Sequence, residues 1–367
     1  MSARDVGEMA PERCLKCGCG MKVAGEDVPS WLSGLLNQTS KHFELEDFIA
    51  TPERAEFEVS ADDEKKSFKS LFQSLGRRGY IPAMRRLGGS TKLVVLKRPE
   101  LRPHKIGINA VLLVVTFLST FLAGYYFLPF RGDVVYSFAF SVSIMLLLGA
   151  HELGHIIAAR ESGIDVSLPY FIPAPSSLGT FGALINVREP IPSRDELVRM
   201  GAAGPLMGFA LAVPIVFVGL LRSVPDPSGM ALPFAPAAFA FLEILVFGHA
   251  PGALRITPLA LAGWVAMVLT MFNLIPAGQL DGGHISRALM GSRRHYAVTR
   301  TIGFAFLLSG IFFIESPLWI WGFLILFLFR GEHVGPLDDV SRISRRMKKL
   351  ALISFIVFLL CLPVPIG

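Results

Sequence analysis

Apolar and polar positions change their pattern near residue 105. Before that point apolar residues recur with short periods among many charges. Arg54 to Ser60 alternates apolar with polar positions, as a half-buried strand does. Asp62 to Leu75 puts Phe68, Leu71, Phe72 and Leu75 on one helical face, with Asp62 as candidate N-cap and Gly79 as stop. Tyr80 to Met84 and Leu93 to Leu96 read as two further strands around the turn Gly88-Gly89-Ser90. A small α+β domain is therefore expected over residues 40–100, with no catalytic constellation in it. Residues 1–39 are expected to form a flexible tail.

From Ile106 onwards the short periods give way to long apolar runs. An apolar run of about 20 residues is long enough to cross a bilayer as a helix. Seven candidate spans result: 106–129, 134–158, 197–221, 256–278, 297–314, 317–329 and 350–366. The fifth and sixth lie close together and form a hairpin through Glu315-Ser316-Pro317. The piece Leu232 to Phe247 is interrupted by Pro233, Pro236 and Glu243, and is expected to be re-entrant or to lie on the outer face. The fold class is thus a polytopic α-helical membrane protein of six to seven transmembrane helices with a small N-terminal α+β cytoplasmic domain. Residues 101–367 make up the membrane domain.

Composition agrees with this division. Apolar residues make up 52% of the 367 positions and charged residues 17%. That is too little polar surface to cover a soluble core of this size. The net charge of +6 is modest, and basic residues cluster beside the apolar runs, which favours a lipid bilayer over nucleic acid as the partner.

Charge placement also sets an orientation. Arg85, Arg86, Lys92, Lys97, Arg98, Arg102 and Lys105 precede the first span. Arg287, Arg293, Arg294 and Arg300 fall between spans four and five, and Arg330, Arg342, Arg345, Arg346, Lys348 and Lys349 between six and seven. The opposite loops keep Arg131, Arg222 and Arg255. By the positive-inside rule the N-terminal domain is cytoplasmic.

The chain start carries no apolar stretch of a signal peptide, and Asp5, Glu8 and Glu12 argue against a transit peptide. A prokaryotic plasma membrane is the expected location, with an organelle left open. Cys14, Cys17 and Cys19 do not form a disulfide framework; with His42 they are a candidate metal knuckle, against the plainer reading of a disordered tail. Residues 336–349 read as a basic amphipathic stretch that anchors to the membrane surface.

The second span ends in His151-Glu152-Leu153-Gly154-His155. Residues four apart lie one above the other on a helix, so both imidazoles can grip one zinc ion. Glu152 beside them is placed to take a proton from water. An ionisable group at the centre of a span costs roughly 2.5–3.5 kcal/mol on insertion scales. A bound metal compensates that cost, whereas two histidines hydrogen-bonded within the bundle are the blander alternative. A catalytic zinc site uses three protein ligands and leaves one position open. The fourth span ends Asn273-Leu274-Ile275-Pro276-Ala277-Gly278-Gln279-Leu280-Asp281-Gly282-Gly283-His284, and offers Asp281 as a hard anionic ligand. Pro276 and Gly278 break the helix and let the carboxylate turn inward.

HELGH together with N-x-x-P-x-x-x-x-D-G-G resembles the site-2 protease family of intramembrane zinc proteases. The small-residue run Gly201-Ala202-Ala203-Gly204-Pro205-Leu206-Met207-Gly208 is similar to that family's third helix. Leu168 to Pro175, Gly179 to Ala183 and Ala262-Gly263-Trp264 resemble the branch typified by ethylene-dependent gravitropism-deficient proteins. A PDZ domain, present in many members, is not visible here. The resemblance implies one zinc held by His151, His155 and Asp281, with Glu152 as general base. It implies that Asn273 helps hold the substrate or the oxyanion, where a span asparagine otherwise simply bridges helices. The implied substrate is a transmembrane protein, cut within or near its membrane helix in regulated intramembrane proteolysis. Gly182 to Arg188 is a candidate strand for pairing with unwound substrate, or else part of a hairpin that plugs the cavity. His284, one turn after Asp281, is a candidate to support the metal ligands.

Two other classes compete. A metal transporter also places histidines and aspartate in its spans, but has no use for a base at Glu152 and normally shows repeated halves. A catalytically dead scaffold would have lost part of the motif, which is intact here. Oligomeric state is left open.

Overall fold

The structure, a computed structural model, describes residues 12–13, 20–23, 30–51, 54–98, 106–312, 318–328 and 333–364. Cys14, Cys17 and Cys19 and the link Glu315-Ser316-Pro317 lie outside the described residues. The chain divides into two compact units.

The first unit comprises residues 1–102 together with 191–194 and 335–343. Its elements are β1 (Glu12–Arg13), β2 (Gly20–Val23), α1 (Ser30–Thr39), β3 (Glu44–Thr51), β4 (Arg54–Ser60), α2 (Glu64–Gly76), β5 (Tyr80–Leu87) and β6 (Ser90–Lys97). They form a sheet of order β1-β2-β3-β4-β6-β5, with β2 and β3 parallel and the other pairs antiparallel. Alternation along β4 turns Ala55, Phe57 and Val59 into the core. There they meet Phe48 of β3 and Phe68, Leu71 and Leu75 of α2. The cap of α2 is Asp63, not Asp62: the helix starts at Glu64, and the Asp63 carboxylate accepts from Lys66 N–H at 3.0 Å. Gly88 and Gly89 have φ of 62° and 95°, which suits the tight β5–β6 hairpin. Helix α1, inside the stretch expected as a tail, contributes Leu32 and Leu35 to the same core.

Two later segments return to this unit. Met84 N–H donates to Leu337 O, Leu337 N–H to Ile191 O, and Asp338 N–H to Pro192 O, each at 2.8 Å. Leu337 joins the core. The buried Asp338 carboxylate accepts from the Val340 and Ser341 N–H groups. Residues 335–343 are therefore not part of a surface-anchored amphipathic stretch. Pro336, Leu337, Asp338 and Ser341 are buried, and a helix begins only at Arg345.

The second unit opens with α3 (Ile106–Tyr126), α4 (Val134–Glu161), β7 (Tyr170–Pro173), β8 (Thr180–Leu184) and α5 (Arg194–Leu220). Then follow β9 (Val224–Met230), β10 (Ala235–Pro236), α6 (Ala237–Phe247), β11 (Leu254–Arg255), α7 (Pro258–Asn273), α8 (Asp281–Met290) and α9 (Ser292–Phe312). It closes with α10 (Leu318–Phe323), a π-helical turn (Leu324–Leu328), α11 (Arg345–Cys361) and β12 (Pro363–Val364).

Among the described residues α3, α4 and α5 are long and apolar enough to cross a membrane. Apolar side chains such as Val111, Leu118 and Leu122 stand exposed along α3, as a lipid-facing helix requires. α6 has 11 residues, short of the ~20 needed to span. α7 stops at Asn273, earlier than the expected 278, because the chain turns through Pro276 and Gly278. Helices α3 and α4 meet through small polar groups: Thr120 and Ser141 hydroxyls lie 2.8 Å apart, and Gly124 packs on Ser137.

The irregular segment after α4 is tied to α3. Asn109 Nδ2 donates to Leu168 O and Pro169 O, and Ser119 Oγ to Gly179 O at 2.6 Å. Strand β8 runs over 180–184 rather than the expected 182–188. It pairs with β7, and beyond it the ladder becomes irregular: Ser167 N–H donates to Asn186 O, and Asn186 N–H is taken by the Ser167 hydroxyl instead of a carbonyl.

Candidate metal centre

His151 and His155 sit one turn apart on α4, their ring centroids 4.9 Å apart and their planes inclined by 67°. Asp281 comes from the first residue of α8, so it sits not at the end of a span but at the start of a separate short helix. The intervening turn needs its glycines. A Cβ on Gly282 would strike the Leu274 carbonyl, and one on Gly283 the Gly278 carbonyl. These glycines pack against the turn that aims Asp281.

His151 Nε2 lies 3.2 Å from Asp281 Oδ2, His155 Nε2 lies 3.4 Å from Asp281 Oδ1, and the two Nε2 atoms are 3.2 Å apart. Both imidazoles are buried, with 8% and 7% of their residue surface exposed. His155 Nδ1–H donates to Met200 O of α5 at 2.8 Å, since a carbonyl only accepts. A neutral His155 therefore presents its Nε2 lone pair to a carboxylate oxygen. A cation between them resolves that clash, and two nitrogens with one oxygen are a donor set suited to zinc with a position left open. His151, His155 and Asp281 thus fit a single metal ion, all three ligand atoms lying within 4.8 Å of one another.

Helix α5 holds this arrangement by close approach. A Cβ on Gly204 would collide with the His155 ring, one on Gly201 would lie 2.5 Å from Asp281 O, and one on Gly208 3.3 Å from His151 Cβ. Gly154 of α4 likewise meets the Ala203 backbone. The small-residue run of α5 is thus what brings the ligands from two helices together.

Glu152 is buried, with 5% of its surface exposed, and lines the same cavity of about 230 Å³ as the three ligands. Ala183, Leu184 and Ile185 at the end of β8 form one wall, and Asn273 and Leu280 another. Asn273 Nδ2 lies 3.3 Å from His151 Nε2, at the end of α7. All five residues singled out by their motifs are brought to one cavity.

His284 lines that cavity too. Its Nδ1 is 2.5 Å from Nε2 of His333, a residue with no motif around it. His295, also unmarked in the sequence, packs on the far side of His333 with its nitrogens near the Ser286 and Thr299 hydroxyls. Burial pushes His284 down to about 4 and His333 to about 3, so both rings are neutral near pH 7. Only the i, i+3 spacing of Asp281 and His284 pointed towards this group. His333 comes from 49 residues away and left no local signal.

Apolar helices around a buried two-histidine, one-carboxylate centre define an integral-membrane metalloprotein with a hydrolase-like donor set. Residues 139–314 match the model of peptidase family M50, and this segment is a domain of that family. The chain is 33% identical over 270 residues to the probable zinc metalloprotease EGY2, chloroplastic, of Oryza sativa subsp. indica, covering 70% of this chain and 47% of that protein. It is 32% identical over 229 residues to EGY2 of Arabidopsis thaliana, with 60% and 40% covered. The probable zinc metalloprotease EGY1, chloroplastic, of Arabidopsis thaliana is 33% identical over 242 residues, with 63% and 43% covered. The chain spans about half the length of these curated relatives or less. No solved structure matches it. The relatives' names place those proteins in the chloroplast.

Proposed function

We propose that the chain is a zinc-dependent intramembrane endopeptidase that cuts membrane-anchored proteins within or near their transmembrane helices. The observation that carries this reading is the convergence of His151, His155 and Asp281 on one point with Glu152 in the same buried cavity. The relatives named as zinc metalloproteases support zinc as the ion. When bound, zinc supplies Lewis acidity that polarises a peptide carbonyl and acidifies water.

The chain's own residues do the rest. Glu152 accepts a proton from water and passes it to the leaving amide nitrogen. Asn273, beside His151, donates from Nδ2 to the carbonyl oxygen under attack. Met200 O fixes the His155 tautomer so that Nε2 stays free for the ion. A helical substrate hides its peptide bonds and must unwind before attack. Strand β8 belongs to a two-stranded sheet with β7, and its end walls the cavity, so its outer edge pairs with the unwound stretch by β-augmentation. In this reading the membrane domain crosses the bilayer six to seven times, and the first unit faces the cytoplasmic side. Regulated intramembrane proteolysis is the process it serves.

The test is cleavage of a reconstituted transmembrane substrate by wild type and Glu152→Gln, with zinc measured in both. Wild type cuts and Glu152→Gln keeps its zinc without cutting. Equal cutting by both proteins, or a purified wild type free of zinc, overturns the proposal. Zinc flux into vesicles that survives Glu152→Gln would favour a transporter instead.

A further inference from the structure

Behind the metal centre, α8 and α11 enclose a second cavity of about 400 Å³ that the proteolytic reading does not use. Ile285, Leu289 and Met290 of α8 face Ala351, Leu352 and Phe355 of α11 across it. Leu274, Pro276 and Gly282, from the turn that aims Asp281, also line it. The walls are almost wholly apolar, and at the basic end of α11 stands Lys348.

Three observations identify the occupant. First, side chains on the cavity's rim stay exposed elsewhere on their surface: Leu352 at 59%, Phe355 at 55%, Leu289 and Met290 at 42%. The cavity therefore opens on an apolar surface suited to lipid rather than water. Second, Lys348 is exposed and its ammonium has no acidic partner among the described residues. Arg345, Arg346 and Lys349 flank it in the first turns of the same helix, whose N-terminus adds positive potential. Third, 400 Å³ falls within the range of about 300–1,000 Å³ typical of small-ligand pockets. Its volume is too small for more than about one turn of a second helix, which with side chains is about 10–12 Å across.

We propose that this slot binds one anionic phospholipid, with an acyl chain between α8 and α11 and the phosphate on Lys348. An apolar slot and a cation without an acidic partner among the described residues line one cavity, matching the two parts of the lipid. Basic pockets at the cytoplasmic ends of membrane helices hold anionic headgroups by the same charge pairing. The bound chain would also wall the turn at Leu274 and Pro276, behind the Asp281 carboxylate.

The test uses the full-length chain in vesicles of phosphatidylcholine with spin-labelled phosphatidylglycerol or spin-labelled phosphatidylcholine. Wild type should immobilise the anionic probe with a several-fold preference over the zwitterionic one. Lys348→Gln should abolish the preference, and Lys349→Gln, which removes the same charge outside the slot, should leave most of it. Ala351→Phe fills the slot without touching a charge, and should abolish it too. Ala351→Leu gives the same reading with less bulk should the Phe variant fail to fold. An Ala351→Leu protein that keeps the wild-type preference, or equal losses from Lys348→Gln and Lys349→Gln, would mean that the basic surface merely attracts anionic lipid, and would overturn the slot. So would the absence of any preference in wild type.

Discussion

His155 has its Nδ1 proton committed to Met200 O, and Gly204 leaves room for its ring. These two contacts come from α5, which carries no metal ligand itself. Gly204→Ala therefore tests positioning without altering a ligand. Its methyl would collide with His155, so bound zinc should fall at least as far as the 10–100-fold typical of lost outer-shell support, as read by metal titration. Asp281→Asn should lower zinc occupancy, because it removes the anionic ligand. Glu152→Gln should leave occupancy unchanged, yet lower kcat by the ~10²–10⁴-fold that acid–base catalysis contributes. At this scale the motif residues were readable from the sequence because i, i+4 spacing on a helix is a local property. The His284–His333 contact was not, since a partner 49 residues away leaves no spacing to read. The roles of Gly282 and Gly283 were half-readable: glycine shows that something comes close, without saying that it is the turn's own carbonyls.

Among the elements, β8 and the returning segment 335–343 matter most. β8 is expected to pair with substrate through its outer edge. Ala183→Pro removes one of its N–H groups, and a backbone hydrogen bond is worth about 0.5–1.5 kcal/mol. A several-fold fall in kcat/KM with zinc content intact is the predicted outcome. An unchanged value would assign β7 and β8 to plugging the cavity instead. In the first unit Leu71 is fully buried against the sheet, so Leu71→Ala should cost about 2–5 kcal/mol of that unit's stability. Hydrogen exchange of β4 amides in the full chain would report it as faster opening. Strand β4, helix α2 and the β5–β6 hairpin were legible because alternation, helical spacing and a Gly-Gly turn are local signals. The pairing of 335–343 with Met84 was not: its basic flank reads as a surface stretch, while Leu337 and Asp338 are buried by partners remote in sequence.

For the whole molecule, apolar runs pointed to a membrane protein, and among the described residues α3, α4 and α5 have the length and composition to cross. The later runs were less readable. Proline and glycine shorten α7, and a π-helical turn follows α10, so run length alone overstates helix length there. The family match over 139–314 covers the HELGH helix and the Asp281 turn together, which joins fold and site in one domain. The most direct measurement of the central claim maps the products from a single-span substrate co-reconstituted with the full-length chain, by mass spectrometry. The account predicts cuts inside or beside the substrate's membrane helix by wild type, and none by a Glu152→Gln protein that still carries one zinc. Cuts confined to water-exposed loops far from the helix, or identical products from the zinc-loaded Glu152→Gln protein, would contradict it.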